Sequence, residues 1–184
     1  MTETTAENTE LGFSYEYALD VDLAESLTDP PIWQHLRFSS AIDPQVTPVM
    51  KDAATYRDKG APNQKKVSES WTLAGTVQQH RRPDGDFLPE VERLLELAGP
   101  DAVGNKATGR FRWYDDPADG EPNPREAYEG DGTVQMNRQT TGNDDIGGWS
   151  FSITGQGRRR RIANPAAEDD PTGPSEPEVD SEGD

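Results

Sequence analysis

A mainly β domain carrying one short helix is the fold class this sequence predicts. Three observations lead there. Apolar residues fall on every second position in several stretches, Gly, Pro, Asn and Asp punctuate the chain between them, and a single segment has helical spacing. Together they give about six or seven strands and one helix, the element content of sandwiches and barrels.

Leu11, Phe13, Tyr15, Tyr17, Leu19, Val21 and Leu23 alternate with polar residues such as Ser14, Glu16, Asp20 and Asp22. That period of two predicts a first strand, half-buried on one face. Asp29-Pro30-Pro31 ends it, and residues 33–42 (WQHLRFSSAI) read as a second strand with Leu36, Phe38 and Ile42 on one side. Residues 43–66 hold Pro44, Pro48, Gly60 and Pro62 without a sustained period, and so read as a long, partly apolar loop. Val67, Glu69, Trp71, Leu73, Gly75 and Val77 then mark a third strand running toward His80. Leu88, Val91, Leu94, Leu95 and Ala98 set the helix, with Pro89 at its first position, Glu90 and Glu92 at its positive end, and Gly99-Pro100 as its stop. Strands follow at 109–114, 128–138 and from Trp149 to Ile153, the last closing at Gly155-Gln156-Gly157.

Of the 184 residues, hydrophobic ones make up 31%. Mean hydropathy is −0.93, low for a globule of this length. The polarity is concentrated at the ends. Eight of the 35 acids lie in residues 166–184 and three in residues 1–10; neither end has a base, so 24 acids face all 18 bases between them. A net charge of −17 therefore reduces to −6 over residues 11–165. The organisation expected is a flexible arm at 1–10, a β domain at 11–165 and a disordered acidic tail at 166–184. Cysteine is absent, which excludes disulfides, thiol nucleophiles and Cys-based metal sites. No apolar run approaches the roughly 20 residues that span a bilayer. No signal-peptide pattern opens the chain, so synthesis in a cytoplasm is expected.

Several residues invite a chemical reading. Residues 115–126 (DDPADGEPNPRE) place Asp115, Asp119, Gly120 and Glu126 at positions 1, 5, 6 and 12 of an EF-hand loop. Pro117 offers no ligand at position 3, however, and the flanks read as strand, so a solvated hairpin loop is preferred to a calcium site. His35 and His80 are the only histidines. Ser39, Ser40 and Asp43 lie near His35 in sequence, but no nucleophile elbow surrounds them. No catalytic, cofactor-binding or metal-binding residue is assigned, and the chain is read as non-enzymatic. Residues 158–161 are four arginines whose guanidinium forks suit carboxylates at a subunit interface better than nucleic acid in a net-acidic chain. What remains is a β module with long exposed segments and free strand edges, which suits assembly.

At this point the order of elements resembles a known family. The matching stretch runs from Trp33 to Pro165: residues 35–81 hold a strand, a long loop with Ala54-Thr55-Tyr56 and Gly60, and a Trp-containing strand; the lone helix Leu88–Ala98 follows, and then EAYEGDGTVQMNRQTTGNDDIGGWSFSITGQGRRRRIANP closes the pattern. This is similar to the tail tube (major tail) proteins of bacteriophages with long non-contractile tails. The resemblance implies a tail-tube fold, two packed antiparallel sheets in a sandwich- or barrel-like arrangement with one helix. It implies a structural virion protein, self-assembled into hexameric rings stacked around a tape-measure protein and closed by a tail terminator. The 43–66 loop would reach a neighbouring subunit or ring. DNA would pass through the lumen without specific binding, no membrane would be involved, and assembly would take place in the host cytoplasm. A tail terminator, a capsid decoration protein or a calcium-dependent β module are the alternatives. Terminators form one ring and do not polymerise.

Overall fold

The computed structural model describes residues 11–139 and 142–167. Seven strands run β1 (Tyr17–Asp22), β2 (Trp33–His35), β3 (Ser39–Asp52), β4 (Gln64–Gln78), β5 (Thr108–Asp115), β6 (Ala127–Arg138) and β7 (Gly148–Arg161), with helix α1 (Pro89–Leu97) between β4 and β5. They form a single antiparallel sheet in the order β2-β1-β5-β6-β7-β4-β3. The resemblance implied two packed sheets; the hydrogen-bonded ladder is instead continuous.

The order also dictates curvature. β2 and β3 lie at opposite edges of the sheet, yet only residues 36–38 join them. Four Cα steps reach at most roughly 14 Å, whereas a flat seven-stranded sheet is roughly 29 Å wide. The sheet must therefore curl until its edges nearly meet, as in an incompletely closed barrel. Leu36 N–H bonds to the Leu19 carbonyl (2.8 Å) and Gln78 N–H to the Phe38 carbonyl (3.0 Å), which ties the corner to both edges. Phe38 turns that corner at φ 57°, stacked on His80 at 3.8 Å between ring centres.

The inside of the curl is the core. Leu19, Val21, Leu73, Val77, Phe111, Trp113, Phe151 and Ile153 fill it, and α1 adds Val91, Leu94 and Leu97. Trp71 lies across Gly130, Gly132 and Gly155; a Cβ at Gly155 would stand 2.2 Å from its indole. Glycine is needed there because a large ring takes the space of three side chains. Its indole N–H donates to the Gly157 carbonyl at 3.2 Å.

Several expectations from the sequence need correction. The first strand begins at Tyr17, since β5 supplies partners only as far as Asp115. Leu11, Phe13 and Tyr15 precede it, exposed, with Phe13 and Tyr15 stacked on each other. β1 is buried on both faces, because Asp20 and Asp22 lie under paired charges. The second stretch breaks at Phe38 into β2 and the start of β3. The 43–66 stretch is mostly a β-hairpin, not a loop. Pro44 and Pro48 lie in β3, whose outer side is a free edge, so their missing N–H groups break no ladder. β7 runs past Gly157 to Arg161, because Gly157 takes φ +81° and a bulge between Glu129 and Asp131 of β6 absorbs the irregularity.

The helix is where the spacing put it. Glu90, however, is fully buried, held by the Arg37 guanidinium through Nε–Oε1 (2.9 Å) and Nη2–Oε2 (3.0 Å). The 1–10 arm and residues 168–184 of the tail expected at 166–184 lie outside the described residues. Pro165–Ala167 form a 3-10 turn, and Ala166 packs on the Ala18, Tyr114 and Ala127 cluster.

Candidate functional site

β3 and β4 pair along their whole length, from Ser39↔Val77 to Asp52↔Gln64. β7 supports β4 only from Thr72 to Gln78. Beyond Trp71 the hairpin is a two-stranded arm with no strand bonded on its β4 side, although Arg159 of β7 still reaches Glu69. Ile42, Pro44, Val46, Pro48 and Met50 share one face of it, because they alternate and lie opposite Leu73 and Trp71. At the base this face is the core face; further out Val46 and Met50 are exposed. The other face carries Asp43, Gln45, Thr47 and the exposed Val49, while Glu69 and Lys66 stand opposite Pro48 and Met50 on the first. Val46, Val49 and Met50 thus leave apolar surface uncovered on the ribbon, an unfinished contact.

The tip is exposed but well built. The Asp52 carboxylate accepts from Ala54 N (2.9 Å) and Asn63 N (3.1 Å), and Asp58 accepts from Thr55 N (2.6 Å) and Thr55 Oγ1 (2.8 Å). These bonds, led by that from the Thr55 backbone, hold the Asp58 carboxyl below its usual range. Lys59 and Gly60 turn the chain in the left-handed region. The 3-10 turn Tyr56–Asp58 thereby holds Tyr56 out with its ring fully exposed. Residues 51–66 contain four of the chain's five lysines, and five bases against two acids, on a chain of net charge −17.

The arginine run lies on β7 beside the base of this arm. Arg159 Nε bonds Glu69 at 2.9 Å and covers the Tyr128 ring, while Arg160 pairs with Glu129. Hydrogen bonds from Lys66 and then Arg159 pull the Glu69 carboxyl down to about 2. Two of the four arginines are thus committed within the protomer, which the sequence reading, with its intersubunit pairs, did not foresee.

The residues considered for catalysis are not brought together. His35 Nδ1 meets Asp20 at 3.1 Å, Ser40 bonds Thr76 (2.7 Å), and Asp43 accepts from Gln45 (2.8 Å). Asp20 is the centre of a charge cluster that the sequence did not reveal. Arg112 Nε reaches it at 2.7 Å and the Tyr114 hydroxyl at 3.2 Å, and Arg112 stacks on Trp33. Burial alone would raise the Asp20 carboxyl, but hydrogen bonds from His35 and Arg112 hold it below its usual range. The same bond raises His35. Burial pushes the Tyr114 hydroxyl well above its ordinary value, Asp20 adding to it.

The 115–126 segment joins β5 to β6 as a hairpin loop. Its Asp115 carboxylate accepts from Asn123 N (2.8 Å), and Asn164 Nδ2 clamps the Asp115 and Asn123 carbonyls. Among the described residues no group of three or more His, Asp or Glu is placed to hold a metal ion.

No protein-family model and no curated protein match the chain. Among solved structures it is similar to a chain of the tail of an empty GTA particle, a structure refined with helical and C6 symmetry. The TM-score is 0.58 at 10% identity, over 83% of this chain and all of that one. The chain has the fold of that tail chain. At 10% identity the likeness is one of fold alone. Among the described residues no helix is long and apolar enough to cross a membrane.

Proposed function

We propose that this chain is the structural subunit of a phage-type tail tube, a non-enzymatic protein that self-associates into hexameric rings stacked as a conduit for DNA. The observation that carries the reading is the tail-tube fold, matched over the full length of a chain from a C6-symmetric tail. The β3–β4 arm supports it, since a ribbon with uncovered apolar residues and an exposed, hydrogen-bonded tip is suited to a neighbouring subunit. Within the virion tail the rings would surround a tape-measure protein and end at a terminator, with assembly in the host cytoplasm. The acidic balance, a net −6 over residues 11–165, suits a wall along which phosphates slide without sticking.

Purified protein imaged by negative-stain electron microscopy, alone and with tape-measure protein, tests the reading. Stacked rings about a central channel are the expected result. A single ring that never stacks would point to a terminator, and monomers at high concentration in both samples would overturn the reading.

A further inference from the structure

Positive charge gathers on the β3–β4 arm of an otherwise acidic chain. Lys51, Arg57, Lys59, Lys65 and Lys66 all stand exposed there. At the arm's base the exposed Arg158 of β7 borders a hollow of about 260 Å³ together with Lys66, Ser68 and Glu69. Among the described residues, only Lys66 of these six cations has an acidic partner, Glu69. Lys51 and Lys65 lie directly opposite each other across the two strands. Like charges so placed repel, and they do so in a two-stranded ribbon that is marginal to begin with. Such a surface is suited to an anion.

The chain itself carries one. Residues 168–184 hold eight acids and no base. They follow directly on structure close to the arm: Arg159 bonds Glu69, and seven residues later Ala166 packs on Ala18, Tyr114 and Ala127. β1, which carries Ala18, lies four strand spacings from β4 in the sheet order, roughly 19 Å. From Ser70 out to Gln64 the arm runs roughly 20 Å further. The 17 residues of 168–184 can span up to roughly 56 Å, more than both distances together.

We propose that residues 168–184 lie along the arm of their own chain, with their carboxylates against Lys51, Arg57, Lys59, Lys65, Lys66 and Arg158. Exposed ion pairs are weak singly. A tethered segment, however, meets its site at an effective concentration of about millimolar, so several weak pairs suffice. The contact relieves the Lys51–Lys65 repulsion and joins the two opposed concentrations of charge in the sequence. An arm covered in this way does not pick up nucleic acid or other polyanions from solution. The contact goes beyond the tube reading and is independent of it, since both partners belong to one chain.

The distribution of lysine makes the contact directly readable. Four of the five lysines are on the arm, and the fifth, Lys106, stands with Glu96 and Asp101 beside α1. Carbodiimide cross-linking of the full chain at low-micromolar concentration, read by mass spectrometry, should join acids of 168–184 to arm lysines. The yield per lysine should exceed that at Lys106 about tenfold or more, and high salt should abolish the preference. In an equal mixture of ordinary and isotope-labelled protein the cross-links should stay within one isotope. Equal yields at Lys106, or mixed-isotope cross-links, would overturn the contact. Trypsin gives a second route, because residues 168–184 offer it no site. Replacing their eight acids by Gln and Asn in the full chain should speed cleavage after Arg57 and Lys59 about fivefold or more at low salt. An unchanged rate would overturn the cover and leave the arm's cations to another anion. Neither readout depends on ring formation, so this contact and the tube reading fail separately.

Discussion

β3 and β4 are one hairpin with two different physical lives. From Thr72 to Gln78, β4 has a partner on each side, and Leu73 and Val77 are buried to 1% exposure or less. From Gln64 to Ser70 the same strand has β3 alone, and residues such as Val67 at 58% stand in solvent. Backbone hydrogen bonds are made in both halves, so it is burial that differs. The near half stabilises the fold, whereas the far half contributes little to it and is free to serve a contact. Two-stranded ribbons are marginal by themselves, and this one is held by its continuity with a seven-stranded barrel and by the bonded tip.

Substitutions that separate the halves should rank accordingly. Trp71→Ala empties the space over three glycines and should lower unfolding free energy by about 3–5 kcal/mol in urea titration. Arg37→Ala leaves the fully buried Glu90 carboxylate without its bidentate partner, for a loss of roughly 2–3 kcal/mol by the same titration. A cost at Arg37 near that of an ordinary surface change would show that α1 is held by its apolar face alone.

The Asp20–His35 pair should act through pH. His35 is raised by its bond to Asp20, so its contribution is full below its ordinary value of 6.5 and fades as pH rises through the higher folded value. Asp20 is lowered, and its contribution holds above its ordinary value of 3.8 and is lost as pH falls through the folded one. The pair therefore stabilises most between those two values. Since the His35 side chain is 46% exposed, the decline from about pH 6 to 8 should be under about 1 kcal/mol. His35→Gln should flatten it, as read from thermal melts across that range.

The smallest effect on stability belongs to the arm. Val46→Ser/Met50→Ser should leave unfolding free energy within about 0.5 kcal/mol while assembly is lost, measured by sedimentation beside urea titration. An equal loss of stability there would erase the distinction between the two halves.

Much of the barrel was legible in its period-two strands, and α1 in its own punctuation. The arm was not, because Pro44 and Pro48 read as strand breakers. They break a central strand but not an edge, and edge position is a property of the sheet order, which local sequence does not carry. The alternation of Leu11, Phe13 and Tyr15 misled for the converse reason: the pattern was right for a strand, but β5 ends before it could pair. The Asp20 cluster and the Arg37–Glu90 pair join residues 15 to 92 positions apart, at spacings that match no local motif.

Electron microscopy of the purified chain with its tape-measure protein, with a Tyr56→Ala variant beside it, bears most directly on the central claim. Stacked six-fold rings from the unaltered protein, and folded protein that fails to stack from the variant, are the results predicted. Monodisperse monomers from the unaltered protein at high concentration would contradict it.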